Sequence, residues 1–216
     1  MNFLDKKTIS ILVSVLLIAG VSTYFIQSSM EAKDQASKSA FYEIQKSFDA
    51  ELATLAEADK AAGSKINIEE KLPKTFKALN ELITAQTQSK QVLFQASMKL
   101  AGLYLDHPVD GANEKGMQVL KKAVEFAKSD FQKASAYYLL SGVQEQLSQF
   151  KEAEDSLKAA LNIGNEGMKG ELMLSLVRVS IKVKNTAQAK AYSEKLNKEA
   201  PGTRAAQEAQ KLISKS

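Results

Sequence analysis

The chain has 216 residues, a formal net charge of +4 and no cysteine, which excludes disulfides, thiol chemistry and cysteine-ligated metals. Its 29 basic and 25 acidic residues are interspersed, so no basic patch argues for nucleic acid. Three prolines and 10 glycines stand in a chain rich in Ala, Leu, Lys, Glu and Gln, and no run alternates apolar with polar residues, so the expected fold class is all-α.

The first element is an apolar run. Thr8 to Ile26, TISILVSVLLIAGVSTYFI, carries no charge; as a helix it spans about 28 Å, close to a hydrocarbon core. Asp5, Lys6, Lys7 and the free amine precede it, whereas Glu31, Lys33, Asp34 and Lys38 behind it cancel. Positive flanks stay in the cytoplasm. Residues 1–7 are therefore expected inside, 8–26 as a transmembrane helix and the chain from about 31 across the membrane. A cleaved signal peptide has the same charged and apolar parts. No Ala-x-Ala follows the run, however: Gly20-Val21-Ser22 lies within it, and Val21 stands where a lipobox needs cysteine. The expectation is an uncleaved anchor; a released periplasmic adaptor in cell-envelope assembly or division is the alternative.

Beyond the anchor, Phe41, Ile44, Phe48, Leu52 and Leu55 recur every three or four residues and predict a long juxtamembrane helix within 27–60. Ala61 to Asn67 breaks it. In the domain from 61 to 216, Pro73 fits the first turn of a helix whose buried face is Phe76, Leu79, Leu82 and Ile83. Thr84 to Ser89 reads as a turn and Val92 to Asp106 as a helix stopped by His107-Pro108. Asp110-Gly111 turns the chain into a helix from Glu114 to Lys128. Ser129 and Gln132 form a capping-box pair for a helix to about Ser148. Lys151 to Ile163 follows, then a turn at Gly164–Gly167, helices over Gly170–Val183 and Thr186–Ala200, a stop at Pro201-Gly202, and a capping helix over 203–214 begun by Thr203.

Paired helices with short loops call for a repeat search. From Ala134 the chain reads ASAYYLLSGVQEQLSQFKEAEDSLKAALNIGNEG, which resembles a tetratricopeptide repeat over 134–167. Tyr137, the large-small pair Leu140-Ser141, Leu147, Phe150, Ala153, Leu157, Ala160 and Leu161 carry the likeness. A second copy over 170–203 has Met173, Leu176-Val177, Val183, Ala189, Leu196 and Pro201. A third over 94–128 has Phe94, Leu100-Ala101, Tyr104, Gly116, Leu120 and Ala123, with about three extra residues near Pro108–Ala112. Gln144 and Ser180 stand where such repeats usually place an aromatic, and Lys128 and Asn165 where they place proline. The implied fold is a right-handed superhelix of antiparallel helix pairs, each burying an apolar face against its neighbour. With the basic N-terminus, the span, and the segments TFKALNELI and QASMKLAGLYLD, the layout resembles the membrane-anchored tetratricopeptide family similar to the ancillary subunit of the bacterial Sec translocon. That resemblance implies a bacterial inner-membrane protein whose periplasmic domain binds translocon subunits, periplasmic chaperones or their client peptides.

Catalytic constellations are missing. The one histidine, His107, sits in a helix-ending turn without a second histidine or a cysteine to complete a triad or zinc site. Gly164 to Gly170 has neither a preceding strand nor the Lys-Ser/Thr of a phosphate loop. The carboxylates share helix faces with lysines, as solvated faces do. No enzyme activity, cofactor or metal is expected. In a stack of this kind the first helices line the concave surface, and helical phase places Gln95, Met98, Leu105, Tyr138, Glu145, Leu174, Arg178 and Lys182 there, a mixed surface suited to a peptide. Lys121 and Glu154 fall on outward faces. Repeats that clamp chaperone tails need Lys and Asn where Met98 and Gly102 stand, which disfavours that partner. A purely structural role for these groove side chains, lining the superhelix or meeting the last helix, stays open.

Overall fold

The computed structural model describes residues 31–54, 68–86, 88–106 and 111–215. The span expected over 8–26, the break at 61–67 and the His107-Pro108 turn lie outside them. Among the described residues no helix is long and apolar enough to cross a membrane, no strand occurs, and the chain forms helices joined by short turns. They are α1 (31–54), α2 (Ile68–Lys71), α3 (Pro73–Ala85), α4 (Lys90–Asp106), α5 (Ala112–Phe126), α6 (Asp130–Gln146), α7 (Phe150–Asn162), α8 (Glu166–Lys182), α9 (Thr186–Glu199) and α10 (Arg204–Ile213).

Local chemistry sets most of the boundaries. Pro73 occupies the first turn of α3, where its missing N–H costs nothing. Ser129 and Gln132 make both bonds of the capping box at α6, and the Thr203 hydroxyl accepts from the Ala206 N–H at the start of α10. Gly111, at φ 77°, turns the chain into α5 through a conformation that few other residues adopt. The turn expected at Gly164–Gly167 is shorter than its glycines suggest. The helix begins at Glu166, so Gly167 lies inside its first turn and α8 starts four residues before Gly170.

α6 and α8 both end in the same closure. The Gln149 N–H donates to the Gln144 carbonyl and the Asn185 N–H to the Ser180 carbonyl, each at 2.8 Å. Ser148 and Lys184 take the left-handed residue between them, both at φ 60°, a place where glycine is usual.

The helices pack as successive pairs, consistent with a helical repeat: α4 with α5, α6 with α7 and α8 with α9, each pair resting on the next, with α10 against both α8 and α9. α4, α6 and α8 are each 17 residues long. Asp130 to Glu166 and Phe150 to Thr186 are both 36 residues apart. The residues expected at the pair contacts are buried: Leu100 with Ala101, Leu140 with Ser141, Leu176 with Val177, and Ala153, Leu157, Ala160, Ala189 and Leu196. At Gly116 an added Cβ would lie 3.3 Å from Leu105 Cδ2 and 3.6 Å from Tyr104 Cβ, so the first pair closes around a missing side chain.

The two polar departures sit in the core. Gln144 accepts from the Ser156 hydroxyl at 2.8 Å in a buried pair between α6 and α7. Ser180 fills the equivalent place in α8 with a buried hydroxyl. Val183 is exposed rather than part of the second core, because the helix closes there. Glu154 is not outward-facing. It is buried, ion-paired with Lys158 at 2.5 Å, and accepts from Gln188 of α9 at 2.7 Å, so it ties successive pairs together.

α1 is built into the domain. Ile44 is buried, and Phe41 and Phe48 pack on the core formed by α3, α4 and α5; Leu52, counted in the same stripe, is exposed. Glu51 reaches across to the start of α3. Its carboxylate accepts from the Lys74 N–H at 3.1 Å, the Thr75 N–H at 3.0 Å and the Thr75 hydroxyl at 2.6 Å, placing an anion at the positive end of a helix. Ser37 of α1 accepts from the Ser89 N–H at 3.0 Å just before α4. The Lys99 ammonium lies 3.6 Å from the Phe48 ring centre, and burial there lowers its pKa.

Candidate functional site

The first helices of the pairs, α4, α6 and α8, carry three rows of equivalent positions: Met98, Tyr138 and Leu174; Gly102, Gly142 and Arg178; Leu105, Glu145 and Ile181. Their large-small alternation decides the surface. Tyr138, Leu105 and Gly142 line one cleft, and an added Cβ at Gly142 would meet nothing within 4 Å, as is also true at Gly102. A cleft of about 190 Å³ opens here, walled by Leu105, Tyr138, Leu139, Glu145 and Arg178, with Gly142 and Ser175 also in its lining. It is smaller than the few hundred cubic ångströms usual for small-molecule sites and is the size of a side chain. Larger hollows of about 440, 450 and 290 Å³ lie between α9 and α10, along α10, and beside Glu69, Tyr104 and Lys115, with charged and amide side chains prominent in their walls.

The eight predicted groove residues separate into groups. Leu105, Tyr138, Glu145 and Arg178 meet at the cleft. Lys182 joins them through its ion pair with Glu145 across α8 and α6, at 2.9 Å, and its ammonium lies 5.4 Å from the Phe150 ring centre. Met98 is half-buried between two parts of the core, and Gln95 is exposed apart from the cleft lining. Leu174 is a correction: it is 3% exposed and belongs to the core of α8, α9 and α10. α10 folds back on α8 as well as α9, and its Ala205, Ala206 and Ala209 share the core that holds Leu174. The sequence reading missed Leu139, Gly142 and Ser175. Gly142 was legible in principle, as a residue without a side chain on the predicted concave face.

Arg178 is the electrostatic feature of the cleft. Its Nη2 donates to the Ser175 hydroxyl at 2.7 Å, its Nε is buried without an acceptor, and no ion pair joins it to another described residue. Among the described residues no group of three or more His, Cys, Asp or Glu side chains could hold a metal ion.

A second charged cluster has a structural explanation. Lys115 of α5 pairs with Glu69 of α2 at 2.7 Å and lies 5.6 Å from the Tyr104 ring centre. Hydrogen bonds from Lys115 and then Tyr104 hold the Glu69 carboxyl below its ordinary pKa. Burial, and then Glu69, push the Tyr104 hydroxyl well above its own. This cluster pins α2 against α4 and α5.

No protein-family model matches the chain, and no curated protein matches it. The functional reading therefore rests on residues and geometry.

Proposed function

We propose that the protein is a non-enzymatic scaffold of the bacterial inner membrane, anchored by residues 8–26, whose periplasmic tetratricopeptide-type domain holds protein partners in the groove between α4, α6 and α8. The observation that carries the reading is the cleft itself: an apolar wall of Leu105, Tyr138 and the exposed Leu139 beside a half-buried, unpaired arginine. Aromatic and arginine side chains are the usual energetic anchors of interfaces, and a groove with a glycine floor admits a peptide more readily than a flat face does. The tetratricopeptide assignment is supported by the 36-residue spacing and by small residues at the equivalent helix contacts, Gly116, Ala153 and Ala189. The apolar run with Lys6 and Lys7 before it supports the anchor and its orientation. The resemblance to the translocon-associated family supports translocon subunits and periplasmic chaperones as the partners.

The test is site-specific photocrosslinking in intact membranes. A crosslinker at Tyr138 should capture a translocon subunit or a periplasmic chaperone, and one at exposed Lys121 on α5 should not. Truncating Tyr138 or Arg178 to Ala should cost about 2 kcal/mol of binding, roughly a thirtyfold loss, with the helical circular dichroism unchanged. Equal capture from both positions would move the binding face elsewhere, to α1 or the span. A reporter fused after Ser216 should be active only if it functions in the periplasm; activity of a cytoplasmic reporter there would refute the topology.

A further inference from the structure

The chemistry of the cleft says what kind of peptide it takes, an inference that rests on the groove being the docking face. The Arg178 guanidinium has a neutral acceptor, Ser175, and a buried Nε without one. The other charges at the cleft cancel, because Lys182 engages Glu145. One positive charge therefore remains beside apolar walls. Space lies next to it, since nothing comes within 4 Å of where a Gly142 Cβ would stand.

We infer that the cleft takes an extended peptide at a point where a glutamate or aspartate side chain stands among apolar residues, its carboxylate accepting from Arg178. Such a charge-assisted bond to the guanidinium neutralises the site. The chain-end carboxylate is the other source of the same group, but it is usually captured by several converging backbone N–H groups. Here the cleft lies toward the C-terminal halves of α4, α6 and α8, where backbone N–H groups are already spent on helix bonds. One guanidinium suits one side chain. The same position supplies the competing explanation, that Arg178 serves only the negative end of α8.

The probes are acetylated and amidated peptides in which Leu, Val, Phe and Ala surround one central Glu, the same mixture with Gln in its place, and the Gln mixture with a free C-terminal carboxylate. Their binding to the full chain in detergent micelles is followed by fluorescence anisotropy, with wild type, Arg178→Gln and Gly142→Val. The Glu mixture should bind wild type about tenfold more tightly than the Gln mixture, and added salt should shrink that advantage. Arg178→Gln should abolish the advantage; Gly142→Val, which fills the floor without changing the charge, should weaken both mixtures alike. Equal binding of Glu and Gln to wild type, with both still weakened by Gly142→Val, overturns the inference and leaves the groove standing; a stability change in Arg178→Gln without that discrimination assigns the arginine to the helix end. A preference for the free C-terminus over Glu overturns the choice of side chain. Binding insensitive to Gly142→Val, or no binding by any mixture, removes the groove reading as well. Should Arg178→Gln fail to fold, the salt response of the Glu advantage on wild type decides, and a salt-insensitive advantage counts against the inference.

Discussion

Removing the Glu51 carboxylate should loosen α1 from the repeat domain. Glu51 makes three hydrogen bonds at the start of α3, two to backbone N–H groups and one to the Thr75 hydroxyl. Thr75 is fully buried and Lys74 exposed. In Glu51→Ala, water can replace the carboxylate at Lys74 but not easily at Thr75. Loss of a helix cap costs about 1 kcal/mol, and a buried donor left unsatisfied costs about 1–3 kcal/mol. The expected destabilisation is about 3 kcal/mol, or roughly 6–12 °C in melting temperature for a chain of this size. Glu51→Gln keeps an acceptor but not the charge and should lose less. The assay is thermal and urea unfolding of the full chain, with hydrogen exchange at the first turn of α3 and along α1. Thr75→Val supplies a cycle: in that background Glu51→Ala should cost markedly less, because the hydroxyl is already gone. A melting temperature within about 2 °C of wild type, with unchanged exchange in α1, would refute the argument that this carboxylate joins the two parts.

Ala153→Phe should destabilise by about 1–3 kcal/mol through overpacking, since Ala153 is fully buried where α6 meets α7; an unchanged denaturation midpoint would mean that contact is not close-packed. Ser148→Gly and Lys184→Gly should each stabilise by roughly 0.5–1 kcal/mol, relief of left-handed strain outweighing the added chain entropy, and the two effects should add in urea titrations. Glu69 has its pKa depressed from 4.5 by Lys115 and Tyr104, so its contribution is present above 4.5 and is lost as pH falls through the lower folded value. Wild type should exceed Glu69→Gln in stability at neutral pH by under about 1 kcal/mol, given the pair's exposure, and the gap should close in acid; a pH-independent gap would contradict the pairing.

The residue pattern alone determined much of this protein. The all-α class, the order of the helices from α3 onward and the pair contacts follow from the spacing of Phe76, Leu79, Leu100, Leu140, Leu157 and Leu176. Short-range signals such as Pro73, the Ser129–Gln132 box and Thr203 set helix starts, because their hydrogen bonds span only a few residues. What only the tertiary structure decided depends on partners distant in sequence. Glu51 became a helix cap 23 residues away, Glu154 a buried tie to Gln188, and Leu174 a core residue because α10 covers α8 as well as α9. Helical phase gives the face a side chain points to. How many neighbours cover that face is a property of the stack, which is why Tyr138 and Arg178 line the cleft while Leu174, at the position in α8 equivalent to Tyr138, is sealed inside.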